Sequence, residues 1–228
     1  MIVIKNSRVR QVLRWVIPLL AIPALVFLGA AMLPEKQHLL VSLGVAVLAV
    51  VLFLTGFEQK KTGARRMVIV SVMVALCIVG RMIPLFKPVT ALTIIIAMYL
   101  GGEAGFLTGA LAAVLSNFYF GQGPWTPFQM LAWGLIGLIA GYLAPLLKKS
   151  RALLLIFGVL AGAAYSMVMD VWTVLWYDGG FNPALYLTTV AAALPHTAVY
   201  ALSNFAFLWF LARPFGEKLE RVRVKYGV

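Results

Sequence analysis

The chain has 228 residues, of which 63% are hydrophobic and 11% are charged, with a mean hydropathy of +0.98. A soluble domain could not hide so much apolar surface from water, whereas long apolar runs with few charges are typical of membrane-spanning helices. The net charge of +12 would suit a nucleic-acid partner, but the basic residues are distributed along the chain as in membrane proteins. No nucleic acid is therefore expected.

Eight apolar runs, taken in chain order, predict an all-α polytopic membrane protein with about eight spans. The predicted spans are 12–33, 38–56, 67–85, 90–101, 103–120, 125–146, 152–172 and 185–211. The fourth is short for a full crossing, and Gly101 and Gly102 separate it from the fifth as a tight hairpin. The first could instead be a cleaved signal peptide. The apolar run of the first span is too long for a typical signal peptide and a second span follows directly, so a retained helix is favoured.

Lysine and arginine are concentrated in every second loop. Sixteen of the 19 lie at the N-terminus, after the second span, after the sixth span and in the C-terminal tail. These sixteen are Lys5, Arg8, Arg10, Arg14, Lys60, Lys61, Arg65, Arg66, Lys148, Lys149, Arg151, Arg213, Lys218, Arg221, Arg223 and Lys225. The other three are Lys36, Arg81 and Lys87. Because cytoplasmic loops carry the excess of positive charge, both termini are predicted to be cytoplasmic.

The basic segment 57–66 divides the chain into two predicted units. Residues 1–60 form a transmembrane helical hairpin with few polar residues in its spans, and residues 61–228 form a six-helix membrane domain with a short basic cytoplasmic tail. The sequence contains no phosphate-binding loop of the form GxxxxGK(S/T), so the chain is not expected to hydrolyse ATP. The single cysteine, Cys77, excludes an intrachain disulfide and is interpreted as an inert core thiol.

Small residues recur at every fourth position in spans five to eight, and these ridges end in polar residues. A spacing of four keeps a ridge on one helix face, where small residues let helices pack closely in lipid. The ridges are Gly101, Gly105, Gly109, Ala113 and Asn117; Gln129, Trp133, Gly137 and Gly141; Gly158, Gly162, Ser166 and Asp170; and Ala192, His196, Tyr200 and Asn204. With the predicted orientation, Asn117, Gln129 and Asp170 lie near the outer end of the bundle. His196 lies roughly 16 Å deep, beside Pro195, which should kink its helix.

One segment, SNFYFGQGPWTPFQMLAWG, collects polar and aromatic residues in an otherwise apolar chain. Gln122, Trp125, Gln129 and Trp133 bring two amides and two indoles to the outer side, and aromatic walls with a few amides are typical of small-molecule pockets. The simpler alternative is an ordinary helix start, set by Thr126 or by the prolines. We predict a pocket that opens to the outside.

Other polar residues in the spans have structural alternatives. Asp170 is an ionisable residue within a span and hence a functional candidate by default, but it could simply pair with Arg81 or Lys87. His196 could line a pocket or hydrogen-bond a neighbouring helix. The residues interpreted as structural are Tyr200 and Asn204, in helix packing, and Trp172, Trp176 and Tyr177, in an interfacial belt.

Three motifs follow one another in the last six spans. VIVSVMVALCIVGRMIPLF ends in an arginine and an Ile-Pro turn, YLGGEAGFLTGALAAVLSN contains the glycine hairpin, and GQGPWTPFQMLAWGLIGLIAG opens the sixth span. Over residues 65–214 this order resembles the substrate-binding S component of energy-coupling factor (ECF) type vitamin transporters. The third motif resembles the subgroup associated with cobalamin-type substrates.

The resemblance implies a six-helix S-component core preceded by an extra hairpin, in a multi-pass protein of a prokaryotic plasma membrane. It implies capture of a vitamin for ATP-driven uptake, with a cobalamin-like substrate favoured and riboflavin, pantothenate and folate as alternatives. The implied partners are a transmembrane coupling subunit and the ATPase subunits of an ECF module, within the lipid bilayer. Neither a catalytic activity nor a cofactor is expected of the chain itself.

The resemblance also implies which residues act. The loop Arg81–Thr90 and the later helices would form the vitamin pocket, and Ser71 and Ala75 on the first core helix would dock on the coupling subunit. The expected substrate-binding residues are Arg81, Asn117, Gln122, Trp125, Gln129, Trp133, Asp170 and His196. No metal ligand is expected.

Two other functional classes compete with this interpretation. An intramembrane enzyme would use His196 and Asp170 as acid and base, but it needs a nucleophile or a metal cluster, and the sequence has only two histidines without metal-ligand spacing. A channel or facilitator would need a continuous polar path, whereas polar residues thin out toward the cytoplasmic ends of spans five to seven. The first two spans could fold onto the bundle, contact a partner or only anchor the chain.

Overall fold

The computed structural model describes residues 6–33, 37–56 and 60–227, with side chains described from residue 64 onward in the third range. Several sequence predictions lie outside the described residues. They concern Lys5, Lys36, residues 57–59 of the basic segment, and the side chains of Lys60 and Lys61.

The described chain is built of helices, and no strand occurs in its three ranges. The helices are α1 (Ser7–Val16), a π-helical turn (Ile17–Ala21), α2 (Ile22–Met32), α3 (His38–Thr55), α4 (Lys60–Gly80), α5 (Val89–Leu100), α6 (Gly102–Phe120), α7 (Thr126–Tyr142), α8 (Ala144–Lys149), α9 (Arg151–Asp178) and α10 (Pro183–Tyr226). Gly101 and Gly121, with φ of 93° and 105°, end α5 and α6 in a conformation that favours glycine. The predicted all-α class is confirmed.

Several predicted boundaries differ from the structure, including the end of the seventh span, which was expected at residue 172 whereas α9 continues to Asp178. The third span was expected to reach residue 85, but α4 ends at Gly80. Pro84 follows four residues later, and helices usually end at or before the residue that precedes a proline. The last span was expected to end at residue 211, but α10 continues to Tyr226 and includes the basic tail. Pro195 and Pro214 both lie inside this unbroken helix.

Four helical stretches in the described part are long and apolar enough to cross a membrane, consistent with a multi-pass protein. They are Ser7–Met32, His38–Thr55, Arg151–Asp178 and Pro183–Tyr226. The short helix α5 needs little contact with lipid, because every residue of it except Tyr99 is buried by its neighbours.

The small-residue ridges meet where helices α6 and α7 cross. A Cβ atom added to Gly105 would lie 2.8 Å from the carbonyl oxygen of Gly137, and one added to Gly109 would lie 2.6 Å from that of Trp133. Gly162 of α9 approaches the backbone of Ala201 in α10 in the same way, with 2.8 Å to its nitrogen. The glycines therefore bring backbones into contact, as their spacing predicts.

The N-terminal hairpin folds onto the bundle and packs against α6 and α7. Arg14 forms an ion pair of 3.0 Å with Glu103 at the start of α6, and it also donates a hydrogen bond of 3.2 Å to the carbonyl of Thr55. The ring of Trp15 stacks on Tyr142 at 5.0 Å. Of the three possibilities left open by the sequence, the structure places the hairpin against the core.

Basic residues from distant segments meet at one end of the bundle, here called the basic end. Arg66 donates to the carbonyl of Leu100, Arg65 donates to the carbonyl of Tyr226 at 2.6 Å, and Lys148 lies 3.8 Å from Glu220. Helix α6 begins at this end, so Asn117 in its last turn lies roughly 20 Å away, near the opposite end. The basic end is the end predicted to face the cytoplasm.

Candidate functional site

A buried polar network lies at the end of the bundle opposite the basic end, and it begins at Arg81. Arg81 is the first residue after α4, and only 9% of it is exposed. Its Nη1 donates to the hydroxyl of Ser116 and, at 2.7 Å, to Oδ1 of Asn117. A guanidinium next to the last turn of α6 therefore fixes the orientation of the Asn117 amide.

The Asn117 side chain connects this arginine to two further helices. Its Nδ2 donates to Oγ1 of Thr126 and to Oε1 of Gln129, both at 2.8 Å. The Gln129 Nε2 then donates to the hydroxyl of Tyr165 in α9 at 3.1 Å. All of these side chains are buried, where satisfied hydrogen bonds hold a single arrangement.

An aromatic layer adjoins the network. Trp133 stacks on Tyr165 with ring centres 4.8 Å apart and an angle of 13° between planes, and its indole N–H donates to Oγ1 of Thr90 at 3.1 Å. The Arg81 guanidinium lies 5.4 Å from the Trp133 ring centre and 4.8 Å from that of Phe120. Such cation–π contacts add attraction in a site shielded from water.

Two buried polar atoms, one in the network and one five residues after Tyr165 in α9, have no hydrogen-bond partner among the described residues. They are Nε of Arg81, a donor, and Oδ2 of Asp170, an acceptor. Leaving a buried polar atom unpaired costs about 1–3 kcal/mol. Both atoms could therefore take up a ligand that carries complementary groups.

A cavity of about 330 Å³ lies between the α4–α5 loop and α10. It is lined by Leu85, Lys87, Pro195, His196, Val199 and Tyr200. Tyr200 joins it to the network, because its ring meets Tyr165 edge-on at 5.1 Å. Burial lowers the pKa of Lys87 below its ordinary value, and the charge of Arg81 lowers it further. His196 is exposed at the cavity wall.

The structure brings together four of the eight predicted substrate-binding residues, namely Arg81, Asn117, Gln129 and Trp133. A fifth, His196, lines the adjacent cavity.

The other three predicted residues are Gln122, which reaches the network only through Thr126, and Trp125 and Asp170, for which no hydrogen bond to the network occurs among the described residues. Gln122 donates to the carbonyl of Val114 at 2.7 Å and accepts from Thr126 at 3.1 Å, so it supports the start of α7. Trp125 packs edge-on against Trp172 at 5.7 Å. The sequence placed Gln122 and Trp125 on one wall with Gln129 and Trp133; in the structure both are engaged elsewhere, because the turn before α7 redirects them.

The structural roles considered for Asp170, an ion pair, and for Asn204, a helix contact, have different outcomes. Within the described residues no ion pair joins Asp170 to Arg81 or Lys87. Asn204 hydrogen-bonds the carbonyl of Gly158 in α9 at 2.9 Å, which confirms its predicted role in helix packing.

Two of the predicted belt residues face the N-terminal hairpin. Trp172 and Trp176 line a separate cavity of about 130 Å³ between the hairpin and the ends of α7 and α9. Tyr177 is 77% exposed, as a membrane-interface residue would be.

Sequence reasoning missed Tyr165 and Ser116 and assigned Tyr200 to packing. Tyr165 lies three residues after Gly162, on the side of α9 that the ridge turns toward the bundle. The available signal in the sequence was a single tyrosine next to the row of glycines that faces the bundle. Ser116 carried none, since serine is common in helix contacts.

The docking residues predicted on α4 lie on its exposed side. Ser71 and Ala75 are both exposed, whereas Val70 and Val74 face the core. The described residues contain no group of three histidine, cysteine, aspartate or glutamate side chains that could hold a metal ion.

Comparison with known proteins gives one family and one relative. Residues 61–219 match the family described as ECF-type riboflavin transporter, S component. A UPF0397 protein of Aliivibrio salmonicida (strain LFI1238) is 28% identical over 150 residues, which cover 60% of this chain and 77% of that protein. No solved structure matches the chain.

Proposed function

The chain belongs to the family of ECF-type riboflavin transporter S components, and we propose that it captures a vitamin at the outer side of the membrane for import by partner subunits. Membership of the family makes it the membrane-embedded, substrate-specific subunit of an ECF transporter and not an enzyme. Import would require a transmembrane coupling subunit and ATPase subunits, since the sequence lacks a nucleotide-binding loop of its own.

The observation that carries the proposal is the cavity beside the buried polar network. The cavity contacts the network through Tyr200. The unpaired Nε of Arg81 belongs to the same α4–α5 loop as Leu85 and Lys87, which line the cavity, and it is a donor that a polar vitamin could satisfy. In this proposal Arg81, Asn117, Gln129 and Trp133 form the wall behind the ligand. Lys87 and His196 would then contact the ligand directly, while Gln122 and Trp125 hold the start of α7 in place.

The size of the cavity favours a compact vitamin with a flat heteroaromatic ring, and riboflavin is the first candidate. A volume of about 330 Å³ lies near the lower end of roughly 300–1,000 Å³ that is usual for small-molecule sites. Cobalamin is much bulkier than riboflavin, so it would require the α4–α5 loop to move away from α10. Tyr200 brings an aromatic ring to the cavity and packs edge-on against Tyr165 behind it, which supports a ligand with a flat ring.

Riboflavin binding should quench the fluorescence of the vitamin, because its ring would lie against aromatic side chains. The test is a titration of the purified full chain with riboflavin, and separately with cobalamin, pantothenate and folate. Saturable binding of riboflavin alone at micromolar concentrations or below is the expected result. If none of the four vitamins binds a folded preparation, the proposed function is wrong.

Replacing Gln129 with alanine should lower vitamin affinity by about 5- to 150-fold, because the amide that joins Asn117 to Tyr165 is lost and the wall behind the ligand is no longer held in one arrangement. The range corresponds to a loss of about 1–3 kcal/mol. Asn204→Ala is the matched control: it also removes a buried amide, but one that bonds Gly158 in a helix contact. Its dissociation constant should stay near that of the wild type. Equal dissociation constants for Gln129→Ala and wild type, in folded protein, would remove the network from the site.

Cobalamin is the second candidate, on the basis of His196. Its imidazole is exposed at the cavity, and an imidazole can coordinate cobalt. If cobalamin binds, His196→Ala should change its visible absorption spectrum, because the axial ligand would be lost. An unchanged spectrum with cobalamin still bound would exclude His196 as a cobalt ligand.

A further inference from the structure

A second polar cavity lies at the basic end, far from the proposed vitamin site. Its volume is about 190 Å³, and it opens between the end of α5, the short helix α8, the start of α9 and the middle of α10. Three cations and two aromatic rings form its polar rim: Lys148, Arg151, Arg213, Tyr99 and Trp209.

Two of the cations are held in place by aromatic rings. The Arg151 guanidinium lies 3.7 Å from the ring centre of Trp209 and donates to the Trp209 carbonyl at 2.8 Å. The Lys148 ammonium lies 4.0 Å from the ring centre of Tyr99. Side chains positioned before binding lose less conformational freedom when an anion arrives.

The cations outnumber the carboxylates near them. Arg213 pairs with Glu217 at 3.0 Å, and Lys148 has a looser pair with Glu220 at 3.8 Å. No ion pair joins Arg151 to a carboxylate within the described residues, and no acidic residue lines the cavity. A positive potential therefore remains at the rim.

Two further features suit an anion attached to an apolar molecule. Helix α9 starts at the rim with Ser150 as its cap, and the positive end of the helix dipole attracts negative charge. The floor of the cavity is apolar, with Met98, Leu154 and Leu208. A cationic rim above an apolar floor matches a headgroup joined to acyl chains.

We propose that this cavity binds a phosphate group at the basic end, carried by the headgroup of an anionic phospholipid or free in solution. The apolar floor favours the lipid as the source. Basic pockets between helices on the cytoplasmic side of a membrane protein are suited to anionic headgroups. The proposal concerns residues outside the vitamin site, so either can fail without the other.

The experiment uses the full chain purified in a neutral detergent, with phosphatidylglycerol, phosphatidylcholine of the same acyl chains, and inorganic phosphate as probes. Native mass spectrometry measures bound lipid, and thermal unfolding measures stabilisation by each probe. Phosphatidylglycerol should bind and stabilise at concentrations where phosphatidylcholine does not. Full stabilisation by millimolar inorganic phosphate alone would support the site, with free phosphate as its source. If neither phosphatidylglycerol nor inorganic phosphate binds or stabilises the protein more than phosphatidylcholine does, the proposal is wrong.

Variants separate this cavity from general surface charge. Arg151→Gln with Arg213→Gln should lower the apparent affinity for phosphatidylglycerol by roughly 10- to 30-fold, since each basic group near an anionic headgroup contributes severalfold. Lys218→Gln with Arg221→Gln removes the same charge from α10 outside the cavity and should change affinity less than about threefold. Equal losses in the two double variants would overturn the proposal. A thermal unfolding midpoint near that of the wild type, measured without added lipid or phosphate, reports that each variant is folded.

Discussion

Replacing Ala75 with tryptophan should abolish ATP-driven vitamin uptake while leaving vitamin binding in detergent nearly unchanged. Ser71 and Ala75 form a strip of small side chains on the exposed side of α4, whereas Met73 and Cys77 on the other side are buried in the core. In lipid, helices associate mainly through close van der Waals packing, so an indole on this strip would hold a partner helix away. The expectation rests on the proposed import function.

Uptake should be measured after reconstitution in liposomes with a coupling subunit and ATPase subunits, and binding with the isolated chain. Leu160→Trp is the matched control, because Leu160 is also exposed on the outside of the bundle, on α9, away from the strip. It should preserve both activities. Parallel loss of binding and uptake in Ala75→Trp would assign the strip to the internal core, and unchanged uptake would remove it from the docking surface.

Replacing Gly105 with leucine should prevent stable folding of the bundle. The added side chain would start 2.8 Å from the Gly137 carbonyl oxygen and 2.5 Å from the Cβ of Ala97. One neighbour is the backbone of α7 and the other is the β-carbon of Ala97, which has no rotamers, so the clash cannot be relieved by a change of rotamer. Overpacking a core costs about 1–3 kcal/mol or more, and here the upper end is expected because α6 and α7 must separate.

The measurement is the thermal unfolding midpoint in detergent, together with the yield of monodisperse protein. Gly180→Leu provides the control, because a Cβ at Gly180 meets no atom within 4 Å. The control should unfold near the wild-type temperature, while Gly105→Leu unfolds several degrees lower or is not recovered. A wild-type midpoint for Gly105→Leu would mean that α6 and α7 do not meet as closely as the structure has them.

The polar network illustrates which part of the site could be found in the sequence. Asn117, Gln129 and Trp133 were identified because each continues or begins a ridge of small residues, so a helical spacing of four points them toward the bundle. Gln122 and Trp125 were grouped with Gln129 and Trp133 on one wall, but they precede α7, which begins at Thr126. Helical spacing does not apply to a turn, and their side chains point elsewhere. Tyr165 was missed because its role comes from stacking on Trp133 of another helix. A local sequence pattern does not indicate how two helices are rotated relative to each other.

The sequence by itself determined the all-α membrane class, the order of the spans and the segregation of the basic residues. Hydropathy, charge and small-residue spacing are properties of neighbouring positions, and the membrane acts on them directly. Only the tertiary structure decided that the N-terminal hairpin packs on α6 through Arg14 and Glu103, and that the cavity lies between the α4–α5 loop and α10. These contacts join residues far apart in the chain, and they depend on how closely the glycine ridges let whole helices approach.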